Sequence, residues 1–169
     1  IIPARYESSR FPGKPLIEIE GMSMIERVYK QCLKASLLDD ICVATDDNSI
    51  FEHVKNFGGN VFMTSEKHPS GTDRCLEAAI LYTEKNKDSE LGIIINIQGD
   101  EPLIDPKNIN LAVEAFKDTK TQIATLATNF KNSEQLKNPN TVKIAISKSE
   151  NALYFSRSII PFVRNPKSE

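Results

Sequence analysis

Short β-branched and apolar runs alternate with stretches of helical spacing over the first two thirds of the chain, and that alternation leaves few folds open. Asp40 to Thr45 (DICVAT) and Asn60 to Thr64 read as strands. Gly92 to Ile97 (GIIINI), the most apolar run, reads as a central strand buried on both faces. Between such runs lie helices. Ser23 and Glu26 form a capping box ahead of Ile25, Val28, Cys32 and Ala35, which predicts a helix from about Met24 to Ser36. Ile50, Val54 and Phe57 mark a second helix, stopped at Gly58-Gly59. Leu76, Ala79, Ile80 and Thr83 line the expected inner face of a third, starting near Thr72. Asp105 and Pro106 open a fourth, with Ile109, Ala112, Val113 and Phe116 inward. Parallel strands need crossovers of this length, so the pattern predicts an α/β fold with helices on the faces of a mainly parallel sheet. Gln122 to Phe130, Val142 to Ile146 and Ala152 to Phe155 are further expected strands.

The chain has 169 residues, which suits one domain, 1–169, with a core of ordinary size. A net charge of -2 gives no reason to expect nucleic acid or an anionic membrane as partner, so any phosphate must be held by local cations. Cys32, Cys42 and Cys75 are odd in number and lack metal-ligand spacing, which fits free buried thiols in a reducing compartment. No apolar run approaches the roughly 18 residues of a membrane span, and a cytoplasmic location is expected. The chain opens without Met inside an apolar segment and stops in a polar run after Asn165, so we expect a domain incomplete at its C-terminus.

Local cations are concentrated at the start. Ile1 to Pro15 (IIPARYESSRFPGKP) runs from two apolar residues into a loop with Arg5, Arg10, Lys14, two serines and a glycine bracketed by prolines. Arg grips phosphate oxygens with a planar fork, Lys supplies a mobile charge, and hydroxyls and backbone N–H groups add donors. A solvated basic surface loop is the alternative. In an open parallel sheet, ligands sit at the carboxyl ends of the strands. Arg5, Asp46, Ser70-Gly71 and Asp100 each follow an expected strand and should converge on one rim. Asp100 offers the hard oxygen that Mg2+ takes alongside substrate phosphates, or else caps a turn. For Asp46-Asp47 a helix N-cap is the better reading. His68 to Arg74 (HPSGTDR) sets a Ser-Gly pair before a helix, where it could read a base edge or simply cap. Arg157 could bind an acidic substrate or pair with a carboxylate.

Five stretches carry a resemblance: IPARYESSRFPGKPL (Ile2 to Leu16), HPSGTDR, NIQGDEP (Asn96 to Pro102), NPNTVK (Asn138 to Lys143) and ALYFSRSIIP (Ala152 to Pro161). In this order they resemble the successive motifs of the 3-deoxy-manno-octulosonate (Kdo) cytidylyltransferase family, also called CMP-Kdo synthetases. The resemblance implies the nucleotide-diphospho-sugar transferase fold, a three-layer Rossmann-like sandwich with a mixed, mainly parallel sheet. It also implies a homodimer that joins CTP and Kdo into CMP-Kdo for lipopolysaccharide synthesis. Arg5, Arg10 and Lys14 would then hold the triphosphate. Pro3 and Ala4, with Ser70, Gly71 and Arg74, would recognise cytosine. Asp100 would be a Mg2+ ligand and act in catalysis with Arg5 and Lys14; Gln98 would lie beside the sugar or ribose, and Arg157 would have a substrate or structural role. The family continues past Glu169 with Kdo-binding residues, most of the dimer interface and a second Mg2+ aspartate.

Two other functions compete. A cytidylyltransferase for sialic acid or another acidic sugar would share fold and reaction, but its first motif differs from RYESSRFPGKP. A non-catalytic nucleotide-binding module would bind CTP and form no product. A dehydrogenase is disfavoured because the first loop lacks GxGxxG.

Overall fold

A computed structural model describes residues 1–7, 11–87, 91–162 and 164, and the chain divides into two compact units, 1–124 and 125–169. In the first, β1 (Ile2–Ala4) leads into the basic loop, which is closed at its neck by the Gly13 N–H donating to the Tyr6 carbonyl at 2.8 Å. Gly13 has φ 70°, a left-handed conformation that a side chain would strain. A 3-10 turn over Lys14–Leu16 follows, then the hairpin of β2 (Glu18–Ile19) and β3 (Met22–Ser23). Glu20 and Gly21, both at positive φ, form its turn, the conformation that matches strand twist in two-residue hairpins.

Helix α1 (Met24–Cys32) starts where the capping box predicts: Ser23 Oγ accepts the Glu26 N–H at 3.2 Å. Glu26 pairs instead with Lys30, one turn on, at 2.8 Å. The helix ends before Ser36 because residues 33–35 tighten into shorter-range hydrogen bonds, such as Ala35 N–H to the Cys32 carbonyl. Next come β4 (Cys42–Thr45), α2 (Asn48–Asn56) capped by Asp47, and β5 (Asn60–Met63). β1, β4 and β5 form a parallel sheet in the order β1-β4-β5, with Ile2 opposite Val43 and Val43 opposite Val61. The core gathers Ile2, Ile25, Val28, Val43, Ile50 and Val54. Each such fully buried side chain contributes about 1.5–3 kcal/mol.

Helix α3 (Gly71–Lys85) packs across all three strands. Its inner face matches the expected one only at Ala79: Arg74, Cys75, Ala78 and Ala79 are buried, while Leu76 and Ile80 are exposed. The stripe reading placed the largest apolar residues inward, but a fully buried guanidinium with its own partners sets the helix rotation. None of these α3 residues belongs to the core cluster, which draws on α1, α2 and α4 (Pro106–Glu114). Successive strand residues face opposite ways, so the sheet carries helices on both faces.

The run 92–97 differs from the buried central strand expected of it. It lies on the other edge of β1 and makes one parallel rung: Ile1 N donates to the Ile95 carbonyl at 2.8 Å, and Ile97 N–H to the Ile1 carbonyl at 3.0 Å. The next donor on that edge would be residue 3. Pro3 has no N–H, so the ladder stops. Upstream of the rung, Ile93 and Ile94 are exposed. The strand expected over Gln122 to Phe130 does not form, since no described strand offers it a ladder.

In the second unit, α5 (Ser133–Lys137) precedes an antiparallel pair, β6 (Lys143–Ile146) and β7 (Ala152–Ser156), where two strands were expected. Lys143 is buried there and donates to the carbonyls of Asn138, Thr141 and Arg157 at 2.6, 2.8 and 2.9 Å.

Candidate active site

At the carboxyl end of β1 the chain turns outward through Arg5, and the run ending at Ile97 emerges beside it as Gln98, Gly99 and Asp100. Pro3, Ala4, Arg5, Lys14, Gln98 and Asp100 line one cleft of about 170 Å3. A larger cavity of about 520 Å3 opens at the other end of the strands, around Ile1, Leu38, Cys42 and Ile95. It is mainly aliphatic and gathers no cations, so size and chemistry point to different places. The cations Arg5 and Lys14 line the smaller cleft.

Gly99 permits the close approach of the two segments. A Cβ there would sit 3.0 Å from the Pro3 carbonyl oxygen and 3.5 Å from Ile25 Cδ1, so any side chain would push the Asp100 turn away from β1. With glycine in place, Lys14 Nζ reaches Asp100 Oδ2 at 2.7 Å across 86 residues of sequence. Both side chains stay open to solvent, 39% and 52% exposed. An exposed ion pair of this kind contributes about 1 kcal/mol or less, so its partners can exchange when a stronger anion or cation arrives. Arg5 is fixed on one side by Nη2 donating to the His68 carbonyl.

Ser70 caps α3, its Oγ accepting the Asp73 N–H at 3.2 Å, and Gly71 lies against Pro3. Arg74 stands behind them, wholly buried: Nη1 donates to Thr64 Oγ1 at 2.5 Å and Nη2 pairs with Asp46. Its Nε is buried without a partner among the described residues. Asp47 is the cap of α2, whereas Asp46, read with it as a cap, turns to Arg74. The residue pattern gave no sign of that pair, since a charged residue on a helix is ordinarily solvated. Glu77 was also missed. It accepts from the Ser65 N–H at 2.8 Å and bonds the His68 ring; the His68 bond, then the Ser65 N–H, hold its carboxyl below the usual carboxylate range.

Arg157 belongs to the second unit, where Nη1 donates to the Pro139 carbonyl at 3.2 Å. Arg10 lies outside the described residues. Among the described residues no cluster of three or more His, Cys, Asp or Glu side chains forms a metal cage. A single open carboxylate beside Arg5 and Lys14 nevertheless suits Mg2+, which keeps several waters and completes its shell with substrate phosphates where these are present.

The sequence pattern described as Cytidylyltransferase matches residues 1–169, the whole of the chain. The chain belongs to the cytidylyltransferase family. Among relatives of this cytidylyltransferase-family chain is a 3-deoxy-manno-octulosonate cytidylyltransferase of Bacteroides thetaiotaomicron, 52% identical over all of this chain and 66% of that protein. Another, from Parabacteroides distasonis, is 50% identical over 99% of this chain and 65% of its own length. A solved CMP:2-keto-3-deoxy-manno-octonic acid synthetase in complex with CTP superposes with a TM-score of 0.84 at 41% identity, over 97% of this chain and 65% of that one. The family chain thus spans about two thirds of the length of these relatives. The same match supports the nucleotide-diphospho-sugar transferase fold.

Proposed function

We propose that the complete protein carrying this sequence transfers CMP from CTP to 3-deoxy-manno-octulosonate, releasing pyrophosphate. The observation that carries this reading is the open Lys14–Asp100 pair beside Arg5 at the end of β1, in a chain about half identical to proteins named for that activity. Arg5 and Lys14 hold the triphosphate, joined by Arg10. Lys14 releases Asp100 as it takes up an outer phosphate, and Asp100 would be the residue that holds Mg2+. Bound Mg2+ supplies charge neutralisation at the phosphates. Pro3, Ala4, Ser70 and Gly71 present backbone and hydroxyl groups to cytosine. Arg74 acts on the base indirectly, by fixing the first turn of α3, which Ser70 and Gly71 open, to Asp46 and Thr64. Gln98 lies by the ribose or sugar, and Arg157 meets the acidic sugar or shapes its site.

The sugar hydroxyl then attacks the α-phosphorus in line, a new P–O bond forms, the bond to pyrophosphate breaks, and the hydroxyl proton leaves. Positioning and electrostatic stabilisation carry such transfers, and no covalent nucleophile is needed. On this reading the protein works as a cytoplasmic homodimer that feeds lipopolysaccharide synthesis; no described helix is long and apolar enough to cross a membrane. The test is pyrophosphate release from CTP with Mg2+ and each acidic sugar. Release with Kdo and not with sialic acid is expected. CTP binding without product, or turnover of sialic acid alone, overturns the reading.

A further inference from the structure

We propose that His68 and Glu77 are positioning residues that hold Arg5 in its phosphate-binding pose, an inference resting on the reading of Arg5 as a triphosphate ligand. Arg5 leaves β1 on an exposed loop, and a long flexible side chain there loses rotamer entropy when it is fixed. Among the described residues its anchor is not a side chain. Nη2 donates to the backbone carbonyl of His68, 63 residues away. The pose of Arg5 therefore depends on where that carbonyl is held.

Three features hold it. Pro69 follows His68 and disfavours the helical region for it, which narrows the directions its carbonyl can take. The His68 ring bonds Glu77 Oε2, on the second turn of α3. The same carboxylate oxygen accepts the Ser65 N–H at 2.8 Å, so Glu77 ties both ends of the segment 65–68 to the helix. α3 packs against β1, the strand that delivers Arg5. The circuit closes: strand to Arg5, Arg5 to the His68 carbonyl, ring to Glu77, helix back to strand. Glu77 is not among the described residues that line the cleft, and its effect on a ligand passes through Arg5.

His68→Ala is the informative variant because it keeps the carbonyl that Arg5 touches and removes only the ring that holds it. In calorimetric titrations of the complete protein, His68→Ala and Glu77→Ala should each weaken CTP binding by about tenfold. Combining them should add little. Glu77→Gln, which keeps an acceptor for the Ser65 N–H and the ring, should restore most of the affinity. In an Arg5→Ala background, itself weakened for CTP, the loss from His68→Ala should vanish. A purely structural role would instead weaken CTP binding equally in both backgrounds, and that result overturns the proposal. If Arg5→Ala weakens CTP binding while His68→Ala does not, the relay alone fails. If Arg5→Ala leaves CTP affinity unchanged, the triphosphate reading fails and the relay falls with it.

Discussion

Lys14–Asp100 and Arg74–Asp46 are both cation–carboxylate pairs at the carboxyl ends of neighbouring strands, yet the first is about half exposed and the second is 0% exposed at Arg74 and 15% at Asp46. An exposed pair is weak and exchangeable; a buried one is fixed, because breaking it strands a charge away from water. On the proposed reading the rim divides its labour. Lys14 and Asp100, which would change partners when a ligand binds, stand in solvent, and Arg74 is locked among Asp46, Thr64 and the strands. Burial, not charge, would then separate a residue that acts on the ligand from one that shapes its surroundings.

The sharpest way to break the comparison is to remove one carboxylate from the closed pair. Asp46→Ala should cost about 3–5 kcal/mol and lower the melting temperature by on the order of 10 °C, read by calorimetry. Adding Arg74→Met should recover part of that loss, since no charge is then left unpaired. Next in size is the open pair: Lys14→Ala should weaken CTP binding by roughly 1.5–3 kcal/mol while CMP binding and the melting temperature barely move. Equal losses for both nucleotides would move Lys14 away from the outer phosphates. The smallest effect concerns burial without charge. Burial pushes the Cys32 and Cys42 thiols up to about 11. With folded pKa values above the ordinary 9.0, their contribution to stability is complete below about pH 9 and lost as pH rises through about 11. In native protein near pH 8, iodoacetamide should label both slowly, and denaturant should release fast labelling, as followed by mass spectrometry.

What could be read from the chain follows the range of the interactions. α1, α2, β4 and β5 rest on local periodicity and on caps such as Ser23 and Asp47, three residues from their targets, and so were visible. Arg5 and Asp100 were legible one at a time, as residues after strands, and their meeting followed from the rule for parallel sheets. Lys14 was legible as a cation of the first loop, and Gln98 only through the family resemblance. Arg74 with Asp46, 28 residues apart, was not legible, because a helix stripe is read from apolar residues and a buried arginine hides in it. The ladder at 92–97 was overestimated for a local reason in a distant residue, the missing N–H of Pro3. The run 122–130 has strand alternation without a strand partner, and alternation alone does not supply one.

The central claim is that the open rim pair serves a Mg-triphosphate. Asp100→Asn tests it most directly, because it keeps shape and one oxygen but removes the charge that a hard divalent cation requires. In the complete protein, with CTP, Kdo and Mg2+, pyrophosphate release should fall by on the order of a hundredfold or more, the melting temperature should hardly change, and raised Mg2+ should recover part of the rate. Turnover near that of the unaltered protein at ordinary Mg2+ would contradict the account, because a turn or cap aspartate tolerates asparagine and a metal ligand does not.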